Sequence, residues 1–81
     1  MRKSDLYRSF QHSFMIGDIT TQGSDLERKL TVDQCTHQII DDLHKNKEMN
    51  RYVVRSLQSP YELNLGDGNK AIIELIPRYK N

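Results

Sequence analysis

The residues Gly66-Asp67-Gly68-Asn69 stand between two runs in which apolar residues alternate, Tyr61, Leu63 and Leu65 before them and Ala71, Ile73 and Leu75 after them. Gly and Asn tolerate the positive φ angles that tight antiparallel turns demand, so this pattern predicts a β-hairpin at the C-terminal end. A loop of Gly66 to Lys70 sets Leu65 against Ala71, Leu63 against Ile73 and Tyr61 against Leu75, which keeps one face apolar. Pro77 has no N–H to donate and closes the last strand, read as residues 71–76.

A hairpin needs something to cover its apolar face, and the middle of the chain supplies it. Val32, Cys35, Ile39, Ile40 and Leu43 fall on one helical stripe, with Asp33, His37, Asp41 and His44 on the other side. Thr31-x-x-Gln34 is a capping box, with Leu30 and Cys35 placed to staple it; Thr36 is an alternative cap for a shorter helix over 37–46. Lys45 and Lys47 suit the negative end of the dipole.

The N-terminal third carries a second amphipathic helix over residues 4–14, with Leu6, Tyr7, Phe10 and Phe14 recurring at three- and four-residue steps. Ser4 is a reasonable N-cap and Asp5 suits the positive pole. Gly17 interrupts the helical pattern, and the segments 14–21 and 26–32 read as a hairpin around Gln22-Gly23-Ser24-Asp25. A short helix started by Ser24-x-x-Glu27 is the competing reading. Period-two spacing in Arg51–Leu57 reads as a strand. The expected architecture is a single α+β domain over residues 1–81: a helix, a β-hairpin, a helix and three strands.

Ordered as strand, strand, helix, strand, short strand, strand after the first helix, the chain resembles a ubiquitin-like β-grasp. Within that fold Val32, Thr36, Ile39, Ile40 and Leu43 are similar to the start of the helix in Ras-association domains, and the segment Tyr61 to Leu75 is similar to that family's acidic turn before its last strand. The resemblance implies binding of a GTP-loaded Ras-like GTPase, edge to edge along the second strand. It places Arg28 and Lys29 on that strand and Lys45, Lys47 and Arg51 near the end of the helix.

Composition narrows the functional classes. Twelve Lys or Arg against eleven Asp or Glu give a net charge of +1, which removes the strongest compositional argument for nucleic acid. The total hides an order, since residues 1–17, 18–48 and 49–81 carry +2, −3 and +2. One Cys excludes an internal disulfide and a four-cysteine zinc site. No apolar run approaches the ~20 residues of a membrane span, and the polar start lacks a signal peptide's apolar core, so a cytoplasmic protein is expected. A chain of 81 residues buries only roughly 60% of its unfolded surface, which favours coupling to a partner or a homodimer.

Chemistry-bearing residues are sparse. His37, Asp41 and His44 can share a helix face, but Cys35 points toward the core stripe, so a solvated polar face beside a buried thiol is the expectation, with no metal and no cofactor. His12 falls on the polar side of the first helix. No phosphate-cradling loop precedes a helix, and Cys35 and His37 diverge, so no enzyme is expected. The leading expectation is a small protein-interaction module or regulator using a strand edge or a charged helix face: Arg28, Lys29, Asp33, Asp41, Asp42, Lys45 and Lys47. The alternative is a nucleic-acid-binding regulator using Arg51, Arg55, Lys70, Arg78 and Lys80, with Arg2, Lys3 and Arg8 adding charge and Tyr7, Tyr52 and Tyr79 available to stack.

Overall fold

The structure, a computed structural model, describes residues 2–24, 29–46 and 50–79. Among the described residues, three helices and one three-stranded antiparallel sheet share a core: α1 (Lys3–Ser13), β1 (Phe14–Gln22), α2 (Val32–His44), α3 (Arg51–Arg55), β2 (Tyr61–Gly66) and β3 (Asn69–Pro77). The strand order is β1-β3-β2. The α+β class of the single domain follows the sequence expectation. The arrangement of its elements departs from it in three places.

First, β1 pairs with β3, from Phe14 opposite Pro77 to Gln22 opposite Lys70, rather than with the segment that follows it. Of the expected second strand, residues 26–28 lie outside the described residues, 29–31 are not extended into a strand, and Val32 opens α2. The pairing with β3 sets Ile16 beside Leu75 and Ile19 beside Ile73 on the core side. A β-grasp sheet sets its first and last strands side by side in parallel; here they are neighbours and run antiparallel.

Second, Arg51–Arg55 is a helix. The Asn50 side chain caps it by accepting from the Val53 N–H at 3.1 Å. Val54 is buried against α1 and Leu57 packs on the core, a spacing of three that serves one helical face. Cap and packing together outweigh the β preference of the two valines.

Third, the C-terminal hairpin is tighter than expected. Gly66 pairs with Asn69, leaving only Asp67 and Gly68 in the turn, at φ of 53° and 78°. Two consecutive positive φ angles twist the chain in the sense a two-residue hairpin needs. An irregularity at Leu65 follows the turn, and the register beyond it places Leu63 opposite Ala71 and Tyr61 opposite Ile73. This is a slip of two residues from the expected pairing, and an even slip leaves the same side chains on the apolar face.

The helices were more legible. Thr31 closes α2 with the full capping box: the Gln34 N–H donates to Thr31 Oγ1 at 3.1 Å, and the Thr31 N–H donates to Gln34 Oε1 at 3.0 Å. Thr36 instead lies buried inside the helix, its hydroxyl donating to the Val32 carbonyl. α1 begins at Lys3, so Ser4 is inside the first turn rather than capping it. The helix then runs straight into β1 at Phe14, whose extended backbone (φ −140°, ψ 151°) ends it. Leu6, Phe10 and Phe14 from this segment meet Cys35, Ile39, Ile40 and Leu43 of α2, Val54 of α3, and Leu63, Ala71, Ile73 and Leu75 of the sheet in one core. No helix among the described residues is long and apolar enough to cross a membrane.

Two substitutions test this account. Thr31→Ala removes one arm of the capping box and is expected to cost about 1 kcal/mol, a fall of roughly 4–8 °C in Tm for a domain of this size. Ile73→Ala, in the fully buried centre of β3, is expected to cost about 2–5 kcal/mol in denaturant unfolding.

Candidate functional site

α1 touches both α2 and α3, and its seam with α3 gathers positive charge. Arg8 and His12, four residues apart on α1, are exposed on one side of the seam, and Arg51 and Arg55, four apart on α3, are exposed on the other. With Asp5, Ser9 and Ser13 they line a groove of about 180 Å³. Among the described residues none of Arg8, Arg51 and Arg55 forms an ion pair. Guanidinium groups stay charged at any relevant pH and present several N–H donors in a plane, a geometry suited to phosphate and carboxylate oxygens.

Arg55 also borders a second hollow of about 310 Å³, together with Ser13, Phe14, Leu57, Pro77 and Tyr79. Tyr79 is 58% exposed and Tyr52, on α3, is 81% exposed. The chain end that carries Tyr79 is held in place by the backbone: the Arg78 N–H donates to the Ser13 carbonyl at 2.8 Å, and Arg78 Nε donates to the Phe14 carbonyl at 3.1 Å. Charge and aromatic surface thus occupy adjoining hollows that meet at Arg55.

The acidic helix face is differently disposed. Asp41 forms a 2.7 Å ion pair with Lys3. That hydrogen bond is the main reason its carboxyl is held below the usual carboxylate range. The Asp42 carboxylate accepts from the Tyr61 hydroxyl at 3.3 Å. Burial, and then the Asp42 charge, push the Tyr61 phenol up to about 12. Asp33 is exposed in the first turn of α2 and Lys45 is exposed at its end.

Other expected site residues are dispersed. Lys29 is exposed in a segment that is not a strand, while Arg28, Lys47 and Lys80 lie outside the described residues. Lys70 sits at the turn end of β3, opposite Gln22 and Asn64, away from the seam. Among the described residues expected to meet nucleic acid, Arg8, Arg51 and Arg55 line the groove, and His12 joins them there. His12 was not legible as a site residue while 51–57 read as a strand; the signal was the four-residue spacing shared by Arg8/His12 and Arg51/Arg55. Cys35 is fully buried, and burial raises its thiol pKa. The His37 ring lies 5.2 Å from that of Tyr7. No group of three or more His, Cys, Asp or Glu among the described residues is arranged to hold a metal.

Comparison with protein families, with characterised proteins and with solved structures finds no match to this chain.

The Tyr61 environment makes a prediction. An acid whose folded pKa is raised contributes stability that is complete below its unfolded pKa of about 10 and lost as pH rises through the folded value. An ultraviolet titration of the folded protein should therefore show one phenol ionising near 12, and Tyr61→Phe should remove that step alone.

Proposed function

We propose that the protein is a non-catalytic module that binds single-stranded nucleic acid along the α1–α3 seam. The observation that carries this reading is the convergence of Arg8, His12, Arg51 and Arg55 on one groove. Arginines without carboxylate partners neutralise backbone phosphates, and exposed tyrosines beside them offer faces on which bases stack. Tyr79 stands in that relation to Arg55, with which it lines the second hollow. A duplex is the poorer ligand on geometric grounds. α3 has five residues, about 7.5 Å of helix, too short to read a major groove, and α1 is flanked by the other two helices.

The near-zero net charge does not oppose this reading, because attraction at a groove is set by the charges within a Debye length, about 8 Å in physiological salt. Among the described residues Asp5 is the single acidic residue lining the groove.

A second reading, a regulator that binds a protein partner, is supported by the outer strands: among the described residues β1 and β2 each pair on one edge only, with β3. An extended peptide adds to such an edge through main-chain hydrogen bonds. The GTPase partner implied by the Ras-association resemblance gains less support. Its binding strand falls on residues that lie outside the described ones or are not in a strand, and Asp41 and Asp42 are engaged by Lys3 and Tyr61.

Binding of short single-stranded DNA and RNA, measured by fluorescence anisotropy across a salt series, separates the readings. If three guanidiniums each neutralise one phosphate, log affinity falls against log salt with a slope of about −2. Arg51→Ala with Arg55→Ala should weaken binding about tenfold or more and flatten that slope, and Tyr79→Ala should cost about 1–3 kcal/mol. No binding at low salt, or binding that the double substitution leaves intact, would remove the nucleic-acid reading in favour of a protein partner.

A further inference from the structure

Among the described residues the helices cover one face of the sheet and leave the other open. Along β3 the outward residues are Lys70, Ile72, Glu74 and Ile76, alternating with the buried Asn69, Ala71, Ile73 and Leu75. Ile76, 41% exposed, lies opposite Met15 of β1, 47% exposed, and Ile72 is half-buried between Thr20 and Glu62. The solvated face of an antiparallel sheet is ordinarily polar, so three large apolar side chains there point to a surface that is covered in use.

The charges on this face say what covers it. Lys70 and Glu74 lie two residues to either side of Ile72 on the same strand face. We propose that the occupant is a second copy of this chain, packed sheet to sheet about a two-fold axis that crosses the strands at Ile72. That axis places Ile72 on Ile72, Lys70 of each copy on Glu74 of the other, and Ile76 over the side-chain-free Gly68 of the opposite turn. A residue pair with opposite charges at equal distances from the axis is self-complementary, as a symmetric interface requires. A two-fold axis along the strands instead stacks Lys70 on Lys70 and Glu74 on Glu74, so electrostatics select the first arrangement.

Its weak point is at the sheet edge, where Glu62 of β2 faces its own counterpart. Three strands ~4.8 Å apart and nine residues of ~3.4 Å make a face of roughly 14 by 30 Å, about 800 Å² for two copies, the range of weak and reversible association. The α1–α3 seam stays exposed on the outside of both copies, so this inference stands independently of what that seam binds.

Sedimentation between about 10 µM and 1 mM tests it, a range suited to weak association. The wild type should shift from monomer toward dimer with concentration. Lys70→Glu or Glu74→Lys alone should raise the dissociation constant about tenfold or more, since each sets two like-charge pairs face to face. An equimolar mixture of the two variants should form a heterodimer, because its cross-pairs are again opposite in charge. Glu62→Gln should tighten the dimer. Because Glu74 Oε1 also accepts from the Asp18 N–H, circular dichroism confirms that Glu74→Lys is folded, and Ile72→Asp serves as a disrupting variant that spares that bond. A monomer throughout the range, or a dimer indifferent to Lys70→Glu and Ile72→Asp, overturns the proposal.

Discussion

Strand β3 is the element on which the other parts of this fold depend. Its two edges hydrogen-bond to β1 on one side and β2 on the other, and those strands do not pair with each other. Its inward residues Ala71, Ile73 and Leu75 are all but inaccessible to solvent and form the floor on which the three helices pack. The Asp67-Gly68 turn and an irregularity at Leu65 together set its register with β2, and Gly17 and Asp18 absorb the irregularity that lets β1 follow its full length. At that irregularity the Asp18 N–H donates to the Glu74 carboxylate at 3.2 Å. The Glu74 side chain lies against Gly17, which has no Cβ to displace it.

What the sequence revealed of this fold was what is encoded locally. The stripe Cys35-Ile39-Ile40-Leu43 depends on residues within a few positions of one another and reads directly; local pattern also narrows the α2 cap to Thr31 or Thr36 and locates the C-terminal turn, though not its tightness or its register. The partner of β1 could not be read, because its contacts with β3 run from Phe14 opposite Pro77 to Gln22 opposite Lys70, far apart in sequence, and alternation of side chains carries no information about which strand lies alongside. Arg51–Arg55 failed for a different reason. Over five residues a period of two and a period of 3.6 predict overlapping positions, and the deciding cap, Asn50, lies outside the alternating run.

That ambiguity bears directly on the candidate site. Residues four apart project to the same side in a strand and in a helix, so Arg51 and Arg55 act together under either reading. Their surroundings do not survive the change. A strand would put Tyr52 on the face opposite the arginines, as part of a sheet; a helix packed on α1 brings Arg8 and His12 to them across the seam. The cluster belongs to tertiary structure, assembled from two pairs that are each inconspicuous in the sequence.

The distribution of partners among the charged residues matters more than their sum. Lys3 is drawn to Asp41 and Tyr61 to Asp42, so the acidic face of α2 is partly occupied within the chain. The arginines of the seam have no such ion pairs among the described residues. An exposed ion pair contributes little to stability, but it does lower the field that each charge presents to a partner. The unpaired guanidiniums keep theirs. A chain of net charge +1 can therefore present a locally cationic groove on its helical side.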